Sequence, residues 1–150
     1  MGQFPLYNFD GTEFLDNQQT ALMNYSLSQN ASSAYPSASL GAYVQAQNSQ
    51  WTVAAGYQDA TNVTGAQIHG RTAFDGKYTG FGSVAWTPSF GLGAGQYGVL
   101  YYYQPSVSAQ NENVNGWSVN AMQKLGDKFA VFGRANGSTG GATAIKNSYV

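Results

Sequence analysis

Leu40-Gly41-Ala42-Tyr43-Val44-Gln45-Ala46-Gln47-Asn48-Ser49-Gln50-Trp51-Thr52-Val53-Ala54-Ala55-Gly56-Tyr57-Gln58 is the stretch that decides the fold. Successive side chains of a strand point to opposite faces, so a period of two sorts residues onto two sides. Leu40, Ala42, Val44 and Ala46 fall on one side, against Gly41, Tyr43, Gln45 and Gln47. Trp51, Val53, Ala55 and Tyr57 repeat the alternation against Thr52, Ala54, Gly56 and Gln58. Asn48-Ser49 can serve as a two-residue hairpin turn. That turn opposes Ala46 to Trp51, Val44 to Val53, Ala42 to Ala55 and Leu40 to Tyr57, with every partner on the apolar face. The pattern therefore predicts an antiparallel hairpin with one apolar and one polar surface.

The same habit continues along the chain. Tyr78, Gly80, Gly82, Val84 and Trp86 form one strand face, and Tyr97, Val99, Tyr101 and Tyr103 another. Trp117, Val119 and Ala121 form a third, and Phe129, Val131, Gly133 and Ala135 a fourth. The odd loop Gly126-Asp127-Lys128 keeps the apolar faces in register and pairs Leu125 with Phe129. Ile145 to Val150 reads as the start of a seventh strand. The organisation is thus a loop segment over 1–38, with a short helix over 16–27, followed by antiparallel strands over 39–150. Leu15, Leu22, Met23 and Leu27 carry the helical spacing, and Asp16 or Asn17 stands at the capping position. Connections alternate between short (48–49, 126–128) and long (60–76, 105–116), with medium ones at 88–95 and 137–143. Aromatic residues gather at strand ends.

Composition agrees with a sheet in a membrane. Hydrophobic residues make up 43% and charged residues only 9%, against about 25% charged in ordinary domains. A barrel with a lipid-facing apolar wall and an uncharged polar lumen needs few charges. A net charge of −1 without a basic run excludes nucleic acid as a partner. The absence of cysteine removes disulfides and thiol chemistry. Gly2-Gln3-Phe4-Pro5 follows Met1 without a basic or apolar stretch, so an outer-membrane reading expects a mature or truncated piece.

Catalytic machinery is not visible. His69 is alone in its loop, and Asp10, Glu13 and Asp16 lack calcium-loop spacing. Gly91-Leu92-Gly93-Ala94-Gly95 opens no helix, unlike a dinucleotide fingerprint. No cofactor and no metal is expected, and the chain is not read as an enzyme. What remains is the polar strand face: Tyr43, Gln45, Gln58, Thr79, Ser83, Thr87, Tyr102, Gln104, Asn120, Lys124 and Arg134. Amides, hydroxyls and aromatic faces suit a polyhydroxy solute; they equally suit plain solvation of a channel. A charge facing lipid at mid-depth costs roughly 2–4 kcal/mol, so Lys124 and Arg134 are expected to point inward.

The chain also resembles a known family. Asp16-Asn17-Gln18-Gln19-Thr20, Asn24-Tyr25-Ser26-Leu27 and Leu40-Gly41-Ala42-Tyr43 resemble the middle of carbohydrate-selective (OprB-type) porins. Trp51-Thr52-Val53-Ala54-Ala55-Gly56-Tyr57-Gln58-Asp59-Ala60 resembles that family's strand ending in Asp-Ala. So does Gly116-Trp117-Ser118-Val119-Asn120-Ala121-Met122-Gln123-Lys124-Leu125, running on to Arg134. The resemblance implies a sixteen-stranded barrel in the bacterial outer membrane, passing sugars by diffusion, with loops folded inward to narrow the pore. The expected partners are sugars as translocated solutes, outer-membrane lipids and, as an assembly, a homo-oligomeric trimer. Substrate-path candidates are Arg134, Lys124, Asn120, Gln45, Tyr43, Asp16 and Gln19, the last two carried on an inward-folded segment over residues 10–30. At 150 residues the chain supplies fewer than half of sixteen strands. The alternative is a small complete eight-stranded barrel or a soluble β-sandwich with a structural or glycan-binding role.

Overall fold

The computed structural model describes residues 1–11, 30–62, 70–140 and 145–149, the side chain of Ala73 excepted. The sequence-expected helix over 16–27 lies outside them. The described strands are β1 (Gly2–Phe4), β2 (Ser39–Gln47), β3 (Trp51–Asp59), β4 (Tyr78–Trp86), β5 (Ser89–Phe90), β6 (Gly93–Gln104), β7 (Val114–Leu125), β8 (Phe129–Thr139) and β9 (Asn147–Tyr149). They form one antiparallel sheet in the order β1-β2-β3-β4-β6-β7-β8-β9, with β5 added to the start of β6. Each long strand pairs with the next in sequence, as antiparallel strands joined by direct turns do.

Register sorts the residues into two surfaces. One rung runs Ala46, Val53, Val84, Val99, Val119 and Ala135 across six strands. Val44, Val53, Val84, Val99, Val119 and Val131 are all exposed. Trp51, Trp86 and Tyr97 share a second outer rung, with Trp51 stacked on Trp86 at 5.5 Å between ring centroids and Phe90 edge-on to Trp86. Tyr57 meets Tyr78 edge-on at the opposite strand ends. Eight residues of β4 separate Trp86 from Tyr78, about 26 Å along the strand. Valines between two aromatic bands are what a bilayer core between two interfaces selects.

The first hairpin corrects the expected register. Ala46 lies opposite Val53 and not Trp51, and Val44 lies opposite Ala55 and not Val53. Gln47 pairs with Thr52, Ala42 with Tyr57 and Gly41 with Gln58. The reason is Asn48, which sits at the mouth of the turn and not within it. Its Oδ1 accepts the backbone N–H of Gln50 and of Trp51, and its own N–H donates to the Trp51 carbonyl. Ser49-Gln50 thereby becomes the two-residue turn. Partners move by two positions, an even step, so each side chain keeps its face. Trp51 falls on the rung of Gly133 and Thr52 on that of Arg134, so Trp51 and Arg134 occupy opposite surfaces.

Strand ends differ more than strand centres from the sequence reading. The β7–β8 hairpin pairs Leu125 with Phe129 as expected. β7 begins at Val114 and β8 extends to Thr139, past Gly116 and Asn136, because Asn115 and Thr139 continue the ladder. Residues 2–4, read as part of the loop segment, pair with Gly41, Leu40 and Ser39. Short turns at 48–50 and 126–128 mark one end of the sheet, and the connections 60–77 and 105–113 mark the other.

The two surfaces can be separated by adjacent substitutions on β4. Val84→Arg puts a charge on the apolar belt and is expected to cost about 2–4 kcal/mol in a bilayer. Ser83→Arg, one residue away on the other face, is expected to cost well under half of that. Denaturant unfolding of the protein folded in lipid vesicles measures both, and equal losses would contradict the assignment of faces.

Candidate functional site

The inner surface is divided into an open part and a covered part. At the short-turn end Gln45 and Gln47 are exposed and their amides meet at 3.3 Å. Lys124 is half-buried on the same face. At the long-loop end Gln58, Thr79, Leu100, Tyr102, Gln104, Ser118 and Asn136 are fully buried. Their cover includes the two described arms of the amino-terminal segment, residues 1–11 and 30–38.

Hydrophobic contacts hold one side of this cover. Leu6 and Phe4 join Phe81, Leu100, Tyr102 and Val114 in one buried cluster, with Phe9, Ala34 and Tyr35 against it. Phe9 lies 4.8 Å from Phe81 and 5.0 Å from Tyr43, ring to ring. Tyr35 meets Tyr102 edge-on at 4.8 Å, and the Tyr102 hydroxyl accepts the Ala34 N–H at 3.0 Å. Glycine makes room for these rings. A Cβ on Gly116 would stand 2.1 Å from the Tyr102 ring, and one on Gly56 would stand 2.5 Å from Tyr43 Cβ.

Polar contacts hold the other side. Arg134 on β8 and Asp10 on the first arm are each 3% exposed. The Arg134 Nη2 donates to the Asp10 carbonyl and lies 3.9 Å from its carboxylate. Asn120 on β7, opposite Arg134 in the ladder, donates to Asp10 Oδ1 at 3.4 Å. Asn30 on the second arm donates to Asp10 Oδ2 at 3.4 Å and accepts the Ser32 N–H. Burial pushes the Asp10 carboxyl above the ordinary aspartate range, while Arg134 and the two amides pull it back.

These positions redistribute the sequence candidates. Arg134, Lys124, Asn120, Gln45 and Tyr43 do share the inner face. Arg134 and Asn120 are covered, whereas Gln45 is open and Tyr43 is 44% exposed at the edge of the aromatic cluster. Lys124 lies four residues from Asn120 along β7, about 13 Å, so the two inward basic residues stand apart. Asp16, Gln19 and His69 lie outside the described residues. Asp10 is the acid that meets Arg134, and the sequence reading did not single it out. The one signal it carried was its place as the first carboxylate of the chain, directly after Phe4, Tyr7 and Phe9.

A depression of about 540 Å³ opens at the short-turn end between Lys124, the turn 126–128 and Phe132. A smaller one of about 330 Å³ lies among Thr61, Thr72, Asp75 and Lys77 at the other end. Among the described residues no group of three or more His, Cys, Asp or Glu side chains could hold a metal ion.

The packing of the cover can be tested at Gly116. Gly116→Ala forces a methyl into the Tyr102 ring and is expected to destabilise the folded protein by about 1–3 kcal/mol. Gly80→Ala, where a Cβ meets nothing within 4 Å, is expected to change stability by less than about 0.5 kcal/mol. Parallel unfolding curves in vesicles decide it, and a tolerated Gly116→Ala would show that Tyr102 is not locked there.

Comparison with known proteins gives a consistent answer along the whole chain. It is 43% identical over 150 residues to Porin AaxA of Chlamydia abortus, covering 99% of this chain and 34% of the relative. The same identity holds over 151 residues with Porin AaxA of Chlamydia pneumoniae, with 100% and 34% covered. Porin AaxA of Chlamydia trachomatis serovar D is 41% identical over 150 residues, with 99% and 32% covered. The chain therefore spans about a third of the length of these curated relatives. No family model matches the chain, and no solved structure matches it. The carbohydrate-selective subfamily resemblance thus has no family match behind it, and the likeness to porins rests on these relatives. An antiparallel sheet with an apolar outer belt, similar throughout to a third of these porins, is a β-barrel wall of the outer membrane.

Proposed function

We propose that this wall bounds a water-filled channel through which small polar solutes, sugars among them, diffuse passively across the outer membrane. The observation that carries the reading is the chemistry of the inner face. Among the described residues its charged side chains are Lys124 and Arg134, and Arg134 is matched by Asp10. The remainder are amides, hydroxyls, glycines, apolar side chains and rings. Such a lining exchanges hydrogen bonds with a hydroxylated solute without demanding a counter-charge. The porin relatives support passive transport, and the resemblance to carbohydrate-selective porins supports sugars as the solute class. Surrounding lipid is the proposed partner of the valine belt, and a homotrimer is the proposed assembly.

Proteoliposome swelling tests this with a series of neutral sugars and with charged solutes of matching size. The expected result is swelling by mono- and disaccharides, slowing with size, and no preference for the charged solutes. Swelling confined to charged solutes would remove sugars as the class. No swelling with any solute, from protein shown to be inserted, would overturn the channel reading.

A further inference from the structure

We infer that Arg134 acts on the channel as a positioning residue: with Asp10, Asn30 and Asn120 it forms a clasp that fastens the amino-terminal segment across the inner face. This rests on the channel reading above and assigns Arg134 a role other than touching the solute.

The segment crosses most of the described sheet. Its first arm begins as β1, hydrogen-bonded to β2 at one edge, and ends at Asp10 on β7 and β8. Five strand spacings separate β2 from β8 in the sheet order, about 24 Å at the usual inter-strand distance. The attachments along this span differ in kind. On β4, β6 and the start of β7 the segment rests on the apolar cluster of Phe81, Leu100, Tyr102 and Val114. Beyond that, Ser118, Asn120, Arg134 and Asn136 present only polar side chains.

Covering a polar wall is unfavourable unless each group finds a partner. Here several atoms do not: among the described residues the Gln58 Oε1 and Nε2, the Asn120 Oδ1 and the Ser32 Oγ are buried without a hydrogen bond. The cover therefore gains nothing from those groups and depends on its few strong contacts. On the β7–β8 side these converge on Asp10, whose two carboxylate oxygens and carbonyl meet Asn120, Asn30 and Arg134. Loss of the charge pair frees this side while the apolar cluster still holds the other. The arm then lifts from β7 and β8, and water reaches Ser118.

Residues 1–150 contain no cysteine, so Ser118→Cys is a clean reporter for a charged, water-soluble thiosulfonate reagent. In reconstituted protein the Cys is expected to react slowly when Asp10 and Arg134 are intact. It is expected to react at least about tenfold faster with Asp10→Ala or Arg134→Met, because reaction tracks local opening. Arg134→Lys, which keeps the charge, is expected to restore much of the protection. Conductance is expected to rise in step with labelling. Asp10→Asn keeps the shape without the charge and gives the same reading should Asp10→Ala fail to assemble. Equal labelling rates in all variants would overturn the clasp. So would an Arg134→Met protein with altered sugar flux and unchanged labelling, since Arg134 would then meet the solute directly. Absence of flux through the unmodified protein would defeat the channel reading alone, because labelling reads the clasp without it.

Discussion

Everything in this molecule depends on the ladder of backbone hydrogen bonds between neighbouring strands. In hydrocarbon no water is present to satisfy an N–H or C=O, so a membrane-crossing strand must pair on both sides. Pairing fixes which residues share a rung, and the pleat fixes which face each occupies. A two-residue displacement in the first hairpin therefore moved every partner without moving any side chain across the sheet. The valine belt and the aromatic rungs follow from this parity, as does the polar inner face. Two places show the ladder incomplete among the described residues. β1 pairs with residues 39–41 of β2 and β9 with residues 135–137 of β8.

The inner face obeys a second physical rule, the cost of removing polar groups from water. Side chains of the same chemical type behave differently there according to what lies over them. Gln45 at the open end exchanges its bonds with Gln47 and solvent, while Gln104 under the cover donates to the Ala60 carbonyl and accepts from Thr79. Ser118 and Asn136 bond to each other, and Asn136 continues to Ser148 on β9. These amides and hydroxyls extend the cross-strand network beyond the backbone, tying β7, β8 and β9 together through their side chains. A face that reads as one uniform lining is thus two environments, one wet and one largely dry.

Glycine and aromatic residues cooperate in making the dry part. The inner rung Tyr43, Gly56, Phe81, Tyr102 and Gly116 sets large rings beside residues with no side chain. Tyr102 lies over Gly116 and its hydroxyl reaches the second arm. A ring that bridges from wall to segment serves both as apolar area and as a hydrogen-bond acceptor. The arrangement explains why tyrosine recurs on the inner face, where lipid contact plays no part.

Sequence by itself determined the strands, their faces and the alternation of short and long connections. Each rests on interactions between residues close along the chain or on a period that the pleat enforces. It placed Trp51 and Arg134 on opposite surfaces, and Leu125 against Phe129, because parity and an odd turn admit no other answer. The turn at Asn48 was less legible, since either Asn48-Ser49 or Ser49-Gln50 closes the hairpin with the same parity. The bonds that select between them come from one side chain. Only tertiary structure decided which inner-face residues remain open. Asp10 meets Arg134 across 124 positions of sequence, and Ala34 meets Tyr102 across 68. No local periodicity encodes such contacts: they form because a segment with its own apolar residues finds partners on a surface that the strands have already built.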